Sequence, residues 1–408
     1  MISKNHNLLL TLALTILGGG AYAQPDQVHL SWSGDKVNPA SSMTISWVSK
    51  GLQNQEYVVY GTATSAFTTV KAKKTISEGT SFQKVLLNNL KPSTTYIYRC
   101  GSIEDGWSEN YSFKTAPLSG KRQIVKVGVW GDTQNNDSNE QFEKTTLIIN
   151  HLVLLKPDFT LHMGDMVENG SITPYWLRFL TVSQPLNAIA PMMQTLGNHD
   201  IENRLGENFQ KPFSSFGQLF SLPLDGLDYS FDYGNTHFVC IFSGFAKTAS
   251  DKGLLRYNPT SKEYLWLEKD LSKARSNPKT QWIVAYTHYP LYAYGVSGVQ
   301  QWKEAISPLF DKFHVDLCLS GHRHVYERHY PVYAGIRTTE DKGTVYITNG
   351  TAGGSPQGLG GKEMPTMAFT STEKMYNYAL MTIDAKKLTY EVFDQNAKKI
   401  DELIIVKN

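Results

Sequence analysis

The chain has 408 residues, 39 Lys and Arg against 37 Asp and Glu, a formal net charge of +2 and 12% aromatic residues. That length suffices for two or three domains with a sizeable core. The near balance of charge supplies no basic field for nucleic acid, and the aromatic content excludes a disordered chain.

Residues 1–23 read as an export signal. Lys4 gives a positive start, Leu8–Leu17 is a short apolar stretch, and Ala21-Tyr22-Ala23 is a small-x-small cleavage site. The stretch is too short to span a bilayer comfortably; an uncleaved anchor is the competing reading. The expectation is a mature chain from about Gln24, periplasmic or extracellular, with no stable membrane insertion after cleavage. Cysteines stand at Cys100, Cys240 and Cys318. An odd count leaves at least one thiol unpaired. Cys240 and Cys318 lie inside strand-like apolar runs, so buried inert thiols are expected rather than a disulfide framework.

Residues 24–117 alternate as short antiparallel strands. Val28–Trp32, Met43–Val48, Tyr57–Tyr60, Phe67–Thr75, Ser81–Leu87, Thr95–Arg99 and Tyr111–Lys114 are separated by turn signals that suit a seven-stranded sandwich. The segment from Leu90 to Tyr96 resembles the tyrosine corner of fibronectin type III domains, with Trp47 as the buried core tryptophan. This module carries no cluster of catalytic residue types, which predicts a structural lid or spacer.

Pro117-Leu118-Ser119-Gly120-Lys121 reads as a linker. From residue 122 to 408 the pattern becomes strand, polar loop, helix, strand, the mark of a layered α/β domain. Asn139–Leu155, Thr173–Ser183, Ser261–Ser276 and Gly298–Lys312 are the predicted helices. Tyr378–Ile383, Leu388–Phe393 and Ile400–Val406 return to strand periodicity, and the glycine-rich run Gly350–Gly361 reads as a long mobile loop or a plain turn cluster.

Five short hydrophobic runs in this second region each end on metal-ligand residue types. Ile124–Trp130 precedes Asp132, Phe159–Met163 precedes Asp165, and Met192–Leu196 precedes Asn198-His199-Asp200. Trp282–Tyr286 precedes His288, and Val315–Leu319 precedes His322 and His324. Ligands of open α/β sheets gather outside the carboxyl ends of strands, so these ends predict a two-metal hydrolytic site at one edge. The two oxygens of Asp165 can bridge two cations. Asn198, His288 and His322 complete one site with it, while Asp132 and His324 join it around the other. Mixed N and O ligands suit Zn²⁺, Mn²⁺ or Fe better than Ca²⁺ or Mg²⁺. His151, His162, His237 and His314 are read as structural.

The order of these pieces resembles the calcineurin-like metallophosphoesterases and, more narrowly, the purple acid phosphatases. The residues that carry the resemblance are Gly197-Asn198-His199-Asp200, Thr287-His288-Tyr289-Pro290-Leu291-Tyr292, and the run from Gly321 through His322, His324 and Glu327 to Arg328. Val28–Trp32 and Gly350–Gly354 match as well. The implied fold is an all-β fibronectin III-like sandwich followed by an α/β metallophosphoesterase domain, a two-sheet β-sandwich flanked by helices. Two positions depart from the family pattern. A tyrosinate ligand is expected three residues after the bridging aspartate, where this chain has Glu168, so the purple colour should be absent. The first motif is Asp132-Thr133-Gln134 rather than Asp-x-Gly, and Gln134 could supply an amide oxygen to the first metal. Glu168 is read as an outer acceptor, since an ionised ligand there would cut the excess positive charge that draws phosphate.

The resemblance implies hydrolysis of small phosphate monoesters through attack by a metal-bridging hydroxide, with two divalent ions as cofactors. It makes His199 the general acid for the leaving alkoxide and Asp200 its orienting partner. Tyr289, Tyr292 and Tyr294 are candidate pocket walls, and Glu327 with Arg328 a candidate ion pair. A phosphodiesterase or nucleotide pyrophosphatase on the same site is the nearest alternative. A non-catalytic secreted binding protein is the alternative from another class. A serine hydrolase is excluded, since no Gly-x-Ser-x-Gly elbow stands at a strand–helix junction.

Overall fold

The computed structural model describes residues 24–34, 37–49, 54–77, 79–121, 123–135, 142–201, 214–224, 226–243, 257–294, 299–358 and 364–407. The export segment lies outside them. Among the described residues no helix is long and apolar enough to cross a membrane.

The N-terminal strands form two sheets. Asp26–Ser31, Met43–Ser49, Thr80–Leu87 and Lys73–Ser77 make one, in that order; Thr68–Lys71, Tyr57–Gly61 and Thr95–Ser102 make the other, with Gly106–Trp107 and Tyr111–Lys114 on its far side. The expected single strand Phe67–Thr75 is therefore two. Thr68–Lys71 pairs with Tyr57–Gly61, whereas Lys73–Ser77 pairs with Thr80–Leu87 in the opposite sheet. Buried Ala72 marks the crossing, a corner where a strand changes sheets. Tyr96 makes its corner as expected: its hydroxyl oxygen accepts the Lys91 backbone N–H at 2.9 Å. Trp47 is buried, and its indole N–H donates to Glu56. All three cysteines are unpaired and buried, and burial pushes each thiol far above its ordinary range.

The C-terminal region has two facing sheets. The first runs Met192–Gln194, Phe159–His162, Ile124–Trp130, Asn377–Asp384, Lys387–Asp394, Lys399–Val406; the second runs Tyr229–Tyr233, Thr236–Ile241, Trp282–Thr287, Leu317–Ser320, Val345–Asn349, Tyr326–His329, Met367–Thr370. Successive side chains of a strand point to opposite faces, and in the central strands Phe159–His162, Thr236–Ile241, Trp282–Thr287 and Leu317–Ser320 both faces are covered. Phe238, Cys240, Val284 and Tyr286 join the core between the sheets, while Val239, Ile241, Ile283 and Ala285 join a second core under helices Lys262–Ser276 and Val299–Phe313. Helices Glu143–Leu155 and Thr173–Asn187 cover the first sheet. Double-sided burial explains why these strands read as continuous apolar runs rather than alternating ones.

The N-terminal domain is seated on the C-terminal one. Trp32 packs edge-on to Phe159 at 5.4 Å and lies against Phe231 and Tyr233. His29 Nε2 meets the Leu219 carbonyl at 2.7 Å, and the Tyr98 hydroxyl donates to the Ala188 carbonyl at 2.8 Å. The contacts reach the strand before Asp165 from behind. This domain is a buttress to the site, which narrows the lid-or-spacer expectation.

Candidate metal centre

Parallel pairing brings the strand ends together. Ile124–Trp130, Phe159–His162 and Met192–Gln194 pair in parallel, so the loops bearing Asp132, Asp165 and Asn198 leave one edge side by side. Trp282–Thr287 and Leu317–Ser320 pair in parallel in the other sheet and deliver His288, His322 and His324. The ends thus come from two sheets, not from one edge of one sheet as the spacing suggested. Two facing sheets let carboxylates approach from one side and imidazoles from the other.

Three ligand-type residues adopt the left-handed region: Asp132 at φ 53°, Asp165 at φ 52° and His322 at φ 66°. That conformation costs a residue bearing a Cβ on the order of 1–3 kcal/mol and persists only where surroundings enforce it. Here the surroundings are backbone bonds: Asp132 N–H donates to the Gly164 carbonyl at 2.9 Å, and Thr133 N–H to the Asp165 carbonyl at 2.9 Å. Glycines make room. A Cβ on Gly197 would stand 2.1 Å from Asp165 Oδ1, and one on Gly321 2.4 Å from Asp132 Oδ2.

Asp165, His288 and His322 place one ligand atom each within 4.8 Å of one another. His288 Nε2 lies 3.1 Å from Asp165 Oδ2 and 3.1 Å from Asn198 Oδ1, and His322 Nδ1 lies 3.0 Å from the same Asn198 oxygen. The other nitrogen of His288 faces the Met163 carbonyl at 2.8 Å, so Nδ1 donates its hydrogen there and Nε2 is the nitrogen turned to Asp165 and Asn198. His324 repeats the device, with Nδ1 at 2.8 Å from the Ser355 carbonyl. Its Nε2 lies 3.7 Å from Asp132 Oδ1 and 3.0 Å from Gln134 Nε2. Tyr289 stacks on the His322 ring at 4.0 Å.

The electrostatics are those of a cluster built around positive charge. Burial and then the neighbouring Asp165 raise Asp132 well above the carboxylate range, partly offset by His288. Burial pushes Asp165 up too, but the His288 charge and hydrogen bond outweigh it and hold Asp165 below its ordinary range. His288 is driven up to about 9, because Asp165 and Asp132 outweigh its burial. Burial pulls His322 down to about 3 and lowers His324, leaving both as neutral imidazoles ready to bind metal.

Among the buried polar atoms of the described residues that lack a hydrogen-bond partner, Asp132 Oδ2 and Gln134 Oε1 belong to this cluster. Such orphans are costly unless something else satisfies them. With two carboxylates, two amides and three imidazoles converging, the residues present fit divalent cations.

His199 follows Asn198. Its backbone N–H donates to Asp165 Oδ1 at 2.8 Å, and its ring Nδ1 lies 3.0 Å from the Glu168 carbonyl and 3.4 Å from the Glu168 carboxylate. Burial lowers it, but the Glu168 hydrogen bond and the Asp165 charge prevail and lift it to about 10. The expected Asp200–His199 pairing gives way to a different one. Asp200 Oδ1 accepts the Met166 and Val167 N–H groups at 2.8 and 3.2 Å, and Oδ2 accepts Gly197 N–H at 2.9 Å. Asp200 staples the Asp165 loop to the Asn198 loop, and burial beside Asp165 raises it to about 7.

Other placements also differ from expectation. Glu327 and Arg328 are adjacent on a strand and so point to opposite faces. Arg328 makes a bidentate pair with Asp401 at 2.7 and 3.1 Å, while Glu327 accepts the Tyr294 N–H at 3.2 Å. Tyr292 is buried against Tyr346 at 4.4 Å and is no pocket wall. The described part of the glycine-rich run is tied to the site by backbone bonds: Ala352 N–H donates to the Gly131 carbonyl, Gly354 N–H to that of Asp132, and Gln357 N–H to that of His324. Residues 359–361 of that run lie outside the described ones.

The calcineurin-like phosphoesterase family model matches residues 125–326, and the purple acid phosphatase N-terminal domain model matches residues 25–115. "Probable purple acid phosphatase 20" of Arabidopsis thaliana is 30% identical over 363 residues, 83% of this chain and 76% of that protein. The chain belongs to the purple acid phosphatase family. "Acid phosphatase type 7" of Homo sapiens is 29% identical across 85% of this chain and 82% of its own length. A purple acid phosphatase from yellow lupin seeds shares the fold, with TM-score 0.77 and 20% identity over 95% of this chain and 75% of that one. As a member of the purple acid phosphatases the chain is a metal-dependent phosphoric ester hydrolase, and the family works through a dinuclear metal centre. The non-catalytic reading is set aside.

Proposed function

We propose that this purple acid phosphatase is an exported enzyme that hydrolyses small phosphate monoesters at two divalent ions, Zn, Mn or Fe. We assign 1–23 to the export signal, 24–117 to the buttress and 122–408 to catalysis. Asn198, His288 and His322 would hold one ion and Asp132, Gln134 and His324 the other, with Asp165 between. The observation that carries the reading is the convergence of Asp165, Asn198, His288 and His322 beside His199.

When bound, the ions would polarise the phosphate oxygens and activate water at neutral pH. The chain does the rest. Met163 and Ser355 carbonyls keep the His288 and His324 ligand nitrogens aimed inward. The Asp200 staple holds the Asp165 and Asn198 loops in register, so these two residues are in place before substrate arrives. His199, next to the ligands and held through Nδ1, is the group placed to protonate the leaving alkoxide.

The test compares turnover of an aryl phosphate monoester with that of the matching diester, before and after chelation and metal return. Monoester preference restored by Zn²⁺ or Mn²⁺ is the expected result. A clear diester preference would replace the phosphatase reading with a phosphodiesterase. Preference for nucleoside triphosphates cleaved between the α and β phosphorus would make it a nucleotide pyrophosphatase.

A further inference from the structure

The residues of the metal centre divide by exposure. Asp132, Asp165 and His288 are buried, whereas Asn198, His199, His322 and His324 are half-buried, so these four mark the side from which substrate arrives. Arg323 stands between two of them and is half-buried as well. We propose that Arg323 is a specificity-determining residue whose guanidinium holds a second oxyanion of the substrate. The enzyme then prefers phosphate monoesters that carry a carboxylate or a further phosphoryl group close to the scissile one. The inference rests on the phosphatase reading above and narrows its substrate class.

The guanidinium has no partner within the protein. Arg323 Nε is buried without a hydrogen-bond partner, and among the described residues the side chain makes no ion pair. Glu327, four residues on, does not neutralise it. Glu327 Oε2 accepts the Tyr294 N–H at 3.2 Å, and Oε1 is left without a partner. Burial pushes the Glu327 carboxyl up, and the Tyr294 N–H and the Arg323 charge offset only part of that.

The backbone keeps Arg323 beside the ligands. His322 has φ 66°, Arg323 N–H donates to the Gly321 carbonyl, and Val325 N–H donates to the Arg323 carbonyl, both at 2.8 Å. Two such tight turns in succession are not a strand. The alternation that sends neighbouring side chains of a strand to opposite faces therefore does not separate Arg323 from His322 and His324.

The charge of the centre closes without this residue. Two divalent ions, less the Asp132 and Asp165 carboxylates, match a phosphate dianion. Protonated His199 is matched by the Glu168 carboxylate at 3.4 Å. The guanidinium is the charge left over, placed where bound ions would repel it. A further anion on the substrate resolves that repulsion, and the planar fork takes the paired oxygens of a carboxylate or a phosphoryl group.

Wild type, Arg323→Ala and Arg323→Lys are assayed on two matched pairs of esters, glycerol phosphate with phosphoglycerate and fructose phosphate with fructose bisphosphate. Metal content is measured on each purified protein. Methylphosphonate, phosphonoacetate and methylenediphosphonate, which the enzyme cannot hydrolyse as esters, are titrated calorimetrically into the metal-loaded forms. The wild type should favour the doubly anionic ester of at least one pair by about 10- to 100-fold in kcat/KM, chiefly through KM, the range of one charge-assisted pair. Arg323→Ala should remove that preference and move the singly anionic ester by less than about 3-fold. Arg323→Lys, a point charge without the fork, should keep part of it. The advantage of the doubly anionic phosphonates over methylphosphonate should shrink in Arg323→Ala to the same extent. Preference within the first pair alone names the second group as a carboxylate, and within the second pair alone as a phosphoryl group. A wild type with no preference in either pair would overturn the assignment. An equal fall on both members of a pair would mean that Arg323 acts on the scissile phosphoryl group or on the fold, and loss of metal that it supports the ligands; either result overturns it too. A wild type inactive on all four esters sinks the phosphatase reading instead, and the phosphonate titrations then still decide whether Arg323 holds a second oxyanion.

Discussion

The two halves of the metal centre are built to different standards. Around His288, every ligand-type atom has its direction set by a second contact: Met163 fixes the imidazole, Asn198 Oδ1 faces two rings, and Tyr289 backs His322. Around His324, the imidazole is fixed by Ser355, but Gln134 turns its amide nitrogen toward Asp165 Oδ2 at 3.2 Å and His324 Nε2 at 3.0 Å. A donor stands where a cation would share those acceptors, and the amide oxygen is buried without a partner. An ion held there by Gln134, as proposed, would need the amide to turn over. The difference teaches that a bridging carboxylate can serve one preorganised site and one that must rearrange.

The residue common to both halves should dominate. Asp165→Asn removes the bridging charge and is expected to lower kcat by about 10³-fold or more, because bound ions supply several kcal/mol of charge stabilisation. Metal analysis should show both ions lost. Retention of either ion at wild-type affinity would break the shared-bridge account.

The asymmetry itself makes the next prediction. Titration of the metal-free protein with Zn²⁺ should resolve one tight and one weaker site, the weaker abolished by His324→Ala and the tighter by His288→Ala. Gln134→His replaces an amide with a stronger imidazole ligand. It should tighten the weaker site by about 10- to 100-fold, on the scale that changes of ligand environment produce. Two equal sites in the wild type, or no response to Gln134→His, would erase the distinction between the halves.

Much of this centre was legible from strand ends alone, since apolar runs ending on Asp, Asn or His fix which loops carry ligands. The glycines at 197 and 321 sat in the motifs, and their meaning appears only once a Cβ is seen to collide with a carboxylate. What could not be read depends on the backbone of distant segments. Met163 and Ser355 act through carbonyls that every residue possesses, so their side chains advertise nothing. Asp200 misled for a related reason: its neighbour in sequence is His199, but its partners are backbone N–H groups of another loop. In the N-terminal domain the crossing at Ala72 was invisible because both of its strands have the same periodicity. In the C-terminal region apolar patterning could not divide the central strands between two sheets either, since Phe159–His162, Thr236–Ile241, Trp282–Thr287 and Leu317–Ser320 are buried along their whole length in either sheet.

The buttress offers a smaller effect that separates folding from chemistry. Trp32→Ala opens a cavity behind Phe159 and should cost about 3–5 kcal/mol of stability, measured by denaturant unfolding. At temperatures where the variant stays folded, metal affinity at the His288 half should be nearly unchanged, whereas the weaker half, which already must rearrange, should lose more. Equal losses at both halves would mean that the buttress supports the centre as a single rigid unit.

His237 provides the last contrast, a buried histidine held by carboxylates with no part in the metal site. Its nitrogens face Asp232 at 2.7 Å and Asp270 at 2.9 Å. Burial lowers it, but the two carboxylates outweigh that and lift it to about 9 from an ordinary value near 6.5. A folded-state pKa above the unfolded one contributes stability that is complete below about pH 6.5, declines as pH rises, and is gone above about 9. The full contribution is on the order of 3 kcal/mol. In metal-loaded protein the ligand imidazoles are committed to the ions, so unfolding free energy measured between pH 6.5 and 9 should fall through His237 and through His199, itself lifted to about 10. His237→Gln should flatten that slope while leaving metal stoichiometry intact. A slope left unchanged by the substitution would mean that His237 carries none of the alkaline weakness of the fold and would remove the contrast between the two kinds of carboxylate-held histidine.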